Sequence, residues 1–181
     1  MTYIGLDLSL TGTGVCIIKD DVVKTLTIKT KPDQFNNDLD RIIYITNEIS
    51  KLIPDNTDMI CIEDFFTGPN KGAAVKIAML GTAVRLMIYN RKLPFFIVAP
   101  TSLKKFILGK GVGQKNLIIC AVFKKYNLTV ANDNEADGAC LAFLSRQIYN
   151  KLNKISVQLL KPEQEVVDSL FDHKSERGYN I

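Results

Sequence analysis

The sequence predicts an α/β protein, one mixed five-stranded sheet flanked by helices. Three observations carry that prediction. Three short apolar runs open the chain, parted by turn residues as in an antiparallel meander. Two further short apolar runs are set among segments with helical spacing. The order of elements is then β-β-β-α-β-α-β-α-α.

Residues 2–8, 13–18 and 22–30 are the opening strands, with a Lys19-Asp20-Asp21 turn between the last two. Residues 35–52 place Leu39, Ile42, Ile43, Ile45, Ile49 and Leu52 at roughly helical intervals, and Pro54 stops the helix. Residues 59–66, "MICIEDFF", form the fourth strand, broken by Thr67-Gly68-Pro69-Asn70. Residues 73–89 are helical and apolar nearly all round, so this helix is buried or lies at an interface. Residues 94–99 form the fifth strand. Thr101 or Ser102 caps a helix through Leu108, the glycine loop 109–113 follows, and residues 115–125 are helical again. Residues 133–152 are the last helix of the body, capped by Asp133 or Asn134. Pro162 starts a short helix over 163–171, and the final residues fray. The division is a body of residues 1–152 and an extension of 153–181 that is partly helical and partly frayed.

Composition narrows the function classes. At 46% hydrophobic and 23% charged, the 181 residues suit a globular domain. No apolar run reaches the roughly 18 residues of a membrane span, and the first residues lack the basic region of a signal peptide. The expectation is a cytoplasmic protein without a membrane partner. Cys16, Cys61, Cys120 and Cys140 sit in apolar runs without zinc or redox spacing, and read as small buried hydrophobes. The lone histidine, His173, lies in the polar tail and disfavours a histidine mechanism. Net charge is +4, and residues 101–126 hold Lys104, Lys105, Lys110, Lys115, Lys124 and Lys125 with no acid. Such a block is either a solvated face or a seat for a polyanion.

Three acids break local rules. Asp7 follows Ile4 and Leu6 near the end of the first strand. Glu63 shares the Cys61 face of the fourth strand, and Asp64 the Ile62 face. Asp137 lies on the helix face carrying Gly138, Leu141 and Ala142, which packs on the sheet, whereas Glu135 lies roughly opposite and should see solvent. Carboxylates within apolar segments are costly unless paired or metal-bound. If they converge, Asp7, Glu63 and Asp137 require a cation, and oxygen donors suit magnesium. Asp7 has a second reading, because "GLDLSLTGTGV" also resembles the first phosphate loop of actin-like kinases and ATPases. The alternative to convergence is three unrelated acids, one of them favoured by a helix N-terminus.

Four stretches, "IGLDLSLTGTGV", "CIEDFF", "APTSLKKFILGKGVGQK" and "NEADGACLA", resemble in order and separation the RuvC family of Holliday-junction resolvases, within the ribonuclease H-like superfamily. The resemblance runs from residue 2 to about residue 148, and the compact, lysine-rich chain is in keeping with a phage or viral member. It implies a ribonuclease H-like fold and a metal-dependent endonuclease, with magnesium as cofactor and manganese as a substitute. The enzyme would cut four-way junctions as symmetric paired nicks, acting as a homodimer on branched DNA. Broader debranching of DNA and the actin-like ATPase or kinase are the alternatives.

By position, the resemblance places Asp7, Glu63 and Asp137 on metal-binding acids. The family's fourth acid falls on Asn134, which offers a carbonyl oxygen but no charge, with Asp133 or Glu135 as substitutes. Lys104 and Lys115 fall on functional lysines, Lys115 being the better placed to stabilise charge in the transition state. Lys105 and Lys110 join Lys104 in holding DNA phosphates. Phe66 falls on an aromatic that stacks on unpaired bases, against a plain core role. The small residues of the 73–89 helix allow close packing across a two-fold. Gly12 and Gly14 serve as a hairpin turn, and Ser9 and Thr11 support the site or contact backbone.

Overall fold

A computed structural model describes residues 1–65, 71–172 and 178–181, except the side chains of residues 71 and 115. Strands β1 (Thr2–Asp7), β2 (Gly12–Lys19) and β3 (Val22–Lys29) form the predicted antiparallel meander. The β2–β3 turn places Asp20 and Asp21 at φ 48° and 67°, the left-handed pair that matches strand twist in a two-residue hairpin. Strand β4 (Met59–Glu63) runs parallel to β1, and β5 (Phe95–Val98) parallel to β4. A sixth strand, β6 (Gly178–Tyr179), joins β5 antiparallel, giving the order β3-β2-β1-β4-β5-β6. The tail expected to fray thus returns to the sheet edge, where Tyr179 stacks on Phe95 at 4.7 Å. A two-residue strand has no periodicity, so the sequence reading counts five strands.

Helices α1 (Asp38–Leu52) and α2 (Lys71–Asn90) cover one face of the sheet. Ile42, Ile45, Ile49, Leu80, Val84 and Ile88 pack there on Ile4, Leu6, Ile60 and Ile62. Helices α3 (Pro100–Leu108), α4 (Lys115–Tyr126), α5 (Asp133–Leu152) and α6 (Lys161–Leu170) cover the other. The alternation of strand residues decides the assignment: Tyr3, Cys16 and Cys61 face α5, and their neighbours face α1 and α2.

Several caps differ from expectation. Asn132, not Asp133 or Asn134, caps α5, its Oδ1 accepting from the Glu135 N–H at 3.0 Å. Helix α3 begins with Pro100 in its first turn rather than with a Thr101 or Ser102 cap. Cys120 is exposed, whereas the other three cysteines are buried. The segment Gly72–Asn90 of α2 is, by length and composition, long and apolar enough to cross a membrane, at mean hydropathy 1.4, although Lys76 and Arg85 interrupt its apolar run. It lies along the sheet through Leu80, Val84 and Ile88, while Val75 and Leu86, 58% and 56% exposed, face outward.

Two glycines position the site by what they lack. Gly14 is a strand residue opposite Asp7, not a turn residue. A Cβ on it would stand 1.9 Å from the Asn134 carbonyl oxygen, and one on Gly5 2.1 Å from the Gly138 oxygen. No side chain fits at either place, so α5 seats its first turns directly on β1 and β2. Gly12 likewise belongs to β2, under the Asn134 amide.

Candidate active site

Asp7 and Glu63 are the last residues of the neighbouring parallel strands β1 and β4, one step beyond the Leu6–Ile62 pair. Both point to the α5 side, since Leu6 and Ile62 face α1 and α2. Their side chains share a hydrogen bond. Asp7, Glu63 and Asp137 are all half-buried. The Glu63 carboxyl is pushed up to about 9, first by burial, then by the charges of Asp7 and Asp137 and the bond to Asp7. Lys104 pulls it back, which places that ammonium within charge range of the acids.

The three predicted acids are therefore neighbours. Asp7 and Glu63 share that bond, and Asp137 acts on Glu63 through its charge. Among the described residues, however, no group of three or more His, Cys, Asp or Glu side chains stands close enough to hold one ion jointly. The donor set suits a hard divalent cation: all oxygen, at the mouth of the sheet, with a like-charge repulsion that a cation relieves.

The candidates for the fourth position separate. Glu135 is buried, not solvent-facing, and accepts from Thr25 Oγ1 at 2.8 Å, Thr27 Oγ1 at 3.2 Å and the Ala131 N–H at 3.2 Å. Helix α5 reaches across β2 to β3, so the flank that a helical wheel assigns to water is covered by threonines. These bonds tie Glu135 to β3. Asn134 rests its backbone on Gly14 and its amide over Gly12. Asp133 lies in the first turn of α5.

The lysine block is less one-signed in space than in sequence. Lys105 pairs with Glu165 of α6 at 2.7 Å, and Lys125 with the buried Glu163. Lys110 is exposed in the loop after α3. Phe66, His173 and the Lys115 side chain lie outside the described residues.

The β1–β2 loop is braced from beneath, and sequence reasoning missed the brace. Buried Arg41 of α1 donates from Nη2 to the Leu10 carbonyl at 2.8 Å, and from Nε to Thr30 Oγ1 at 2.8 Å. Thr13 Oγ1 donates to the Ser9 carbonyl at 2.7 Å, and the Ser9 and Thr11 hydroxyls are 3.2 Å apart. The loop hydroxyls thus hold the loop itself. Arg41 sits among apolar helical positions, and that misfit was its available signal.

The family model for crossover junction endodeoxyribonuclease RuvC matches residues 3–144. A protein of that name from Baumannia cicadellinicola is 26% identical over 151 residues, covering 81% of this chain and 86% of the relative. Among solved structures, Thermus thermophilus RuvC superposes with a TM-score of 0.66 at 19% identity, over 84% of this chain and 97% of that one. T. thermophilus RuvC in complex with a Holliday junction substrate gives 0.67 at 16% identity, over 86% and 97%. At such identities the structural likeness shows the fold.

Proposed function

The chain belongs to the RuvC family of crossover junction endodeoxyribonucleases, and from that premise we propose how its residues resolve a four-way DNA junction. The observation that carries the reading is that Asp7 and Glu63 stand side by side at the ends of β1 and β4, with Asp137 and Lys104 within charge range of Glu63. Asp7 and Glu63 would hold a divalent ion, magnesium with manganese as a substitute, once Asp137 closes on it as a third ligand, and Asn134 would add a neutral oxygen. A bound divalent ion there supplies the charge that activates a water and steadies the leaving oxygen of a phosphodiester.

The protein's own groups do the rest. Lys104, within charge range of Glu63, offsets negative charge as the phosphate is attacked. Lys115, at the start of α4, is proposed for the same task. Lys105 and Lys110 hold phosphates away from the cut, and Phe66 stacks on a base at the crossover. The outward apolar face of α2, with Val75, Met79 and Leu86 exposed, supports a homodimer that cuts opposed strands as paired nicks. The fit of residues 3–144 to a junction endonuclease displaces the actin-like reading.

The test is a labelled mobile four-way junction incubated with protein and magnesium, beside an EDTA control. Two symmetric nicks are expected. A junction left whole, or cut on one strand only, overturns the reading.

A further inference from the structure

We propose that Arg85 is a positioning residue for cleavage: from α2 it fixes the end of β4 that presents Glu63. The inference rests on Glu63 acting in the cleavage site.

Strand β4 ends at Glu63, and the backbone continues outward through Asp64, whose N–H donates to the Val98 carbonyl at 2.7 Å. Arg85 meets the chain there. Its Nη2 donates to Asp64 Oδ1 at 2.9 Å, and its guanidinium lies over the Phe65 ring, 5.1 Å from the centroid. The same Asp64 oxygen accepts from the Phe65 N–H at 3.1 Å. One turn earlier, Gly81 clears room for that ring: a Cβ there would stand 3.3 Å from Phe65. One turn of α2 therefore grips both residues that follow Glu63.

This is more than a surface ion pair. The Arg85 side chain is only 20% exposed, and its Nε is buried without a hydrogen-bond partner among the described residues. An orphaned buried donor is costly, and an apolar residue would avoid that cost beside Val84 and Ile88. Packing alone does not account for an arginine here. A guanidinium can bond a carboxylate through its fork while its face stacks on a ring, which a lysine cannot do. A reacting constellation must be held to within roughly 0.5 Å, and this grip adds to the pairing of Glu63 with Val98 a tie from α2 to the residues that follow it.

The experiment is single-turnover nicking of a labelled four-way junction by excess protein with magnesium, at a temperature where all variants are folded. Arg85→Ala, Asp64→Asn and the double variant are compared with the natural chain, and junction affinity is measured in parallel. The expected result for Arg85→Ala is a rate constant lower by about 10- to 100-fold, with reaction amplitude and Kd unchanged. The double variant should be no slower than the worse single one, because both remove the same link. A purely structural role would lower the amplitude, through an unfolded fraction, and leave the rate constant alone. That outcome, a natural rate in Arg85→Ala, or additive losses in the double variant overturns the inference while the function stands. Absence of nicking by the natural chain overturns the assigned function and this inference with it.

Discussion

Asp7 and Glu63 share a hydrogen bond across the carboxyl ends of two adjacent parallel strands. Two acids bonded this way cannot both be ionised without a counter-charge, so one holds a proton or both hold a cation. Asp7→Asn keeps the shape and removes one charge. Nicking should fall by more than about 100-fold, beyond the loss expected of a merely supporting group, with junction binding retained. Gel shift and cleavage of the same labelled junction check both halves. Nicking near the natural rate would remove Asp7 from the mechanism.

Glu63 sets a pH dependence of stability. Its folded pKa of about 9 lies above its ordinary value of 4.5. The folded state then binds more protons than the unfolded state between those values, so stability falls as pH rises through that window. In EDTA, Tm should decline from about pH 5 to about pH 9. Glu63→Gln should flatten that decline and raise Tm at pH 8. Magnesium, which competes with the proton, should raise Tm more at pH 8 than at pH 5.5. An unchanged slope in Glu63→Gln would contradict the burial and crowding assigned to this carboxyl.

Gly14 decides whether α5 can reach the sheet. Its missing Cβ would lie 1.9 Å from backbone oxygen, which cannot swing aside as a side chain can. Gly14→Ala should cost about 1–3 kcal/mol, read as a lower urea midpoint at unchanged m. It should also slow nicking, because the displaced helix carries Asp137 away from Asp7. A variant as stable as the natural chain would show that α5 is not seated as tightly as described.

What was legible in the sequence follows from period. Asp7 and Glu63 stand out because strands alternate, and an acid after two or three apolar residues has one place to go. Asp137 stands out because small residues mark the packed face of its helix. Glu135 departs from its helical-wheel position because a wheel does not say how wide the sheet beneath is, and β3 covers that flank with Thr25 and Thr27. At Gly14 a Gly-x-Gly pattern suits a turn and close packing alike, and only the partner helix separates the two. The grip of Arg85 on Asp64 and Phe65 joins residues about twenty positions apart, which no local pattern exposes. The acids of α6 escaped for the same reason. Glu163 and Glu165 lie some 40 to 60 residues from the lysines that they meet.

Those α6 contacts give the last prediction. Lys105 and Glu165 are 40% and 45% exposed, so solvent screens their bond and a DNA phosphate can compete for the same ammonium. Glu165→Gln should leave Tm nearly unchanged and free Lys105 for phosphate. Junction binding, measured without divalent ions, should then tighten at low salt. The slope of log K against log salt should steepen by up to about 0.9, the signature of one added phosphate contact. Lys105→Ala in the Glu165→Gln background should return the slope to its starting value, which separates a lysine contact from a general change in net charge. If the two slopes coincide with and without Lys105, that lysine makes no phosphate contact, and the DNA path lies on the Lys104 and Lys110 side of α3.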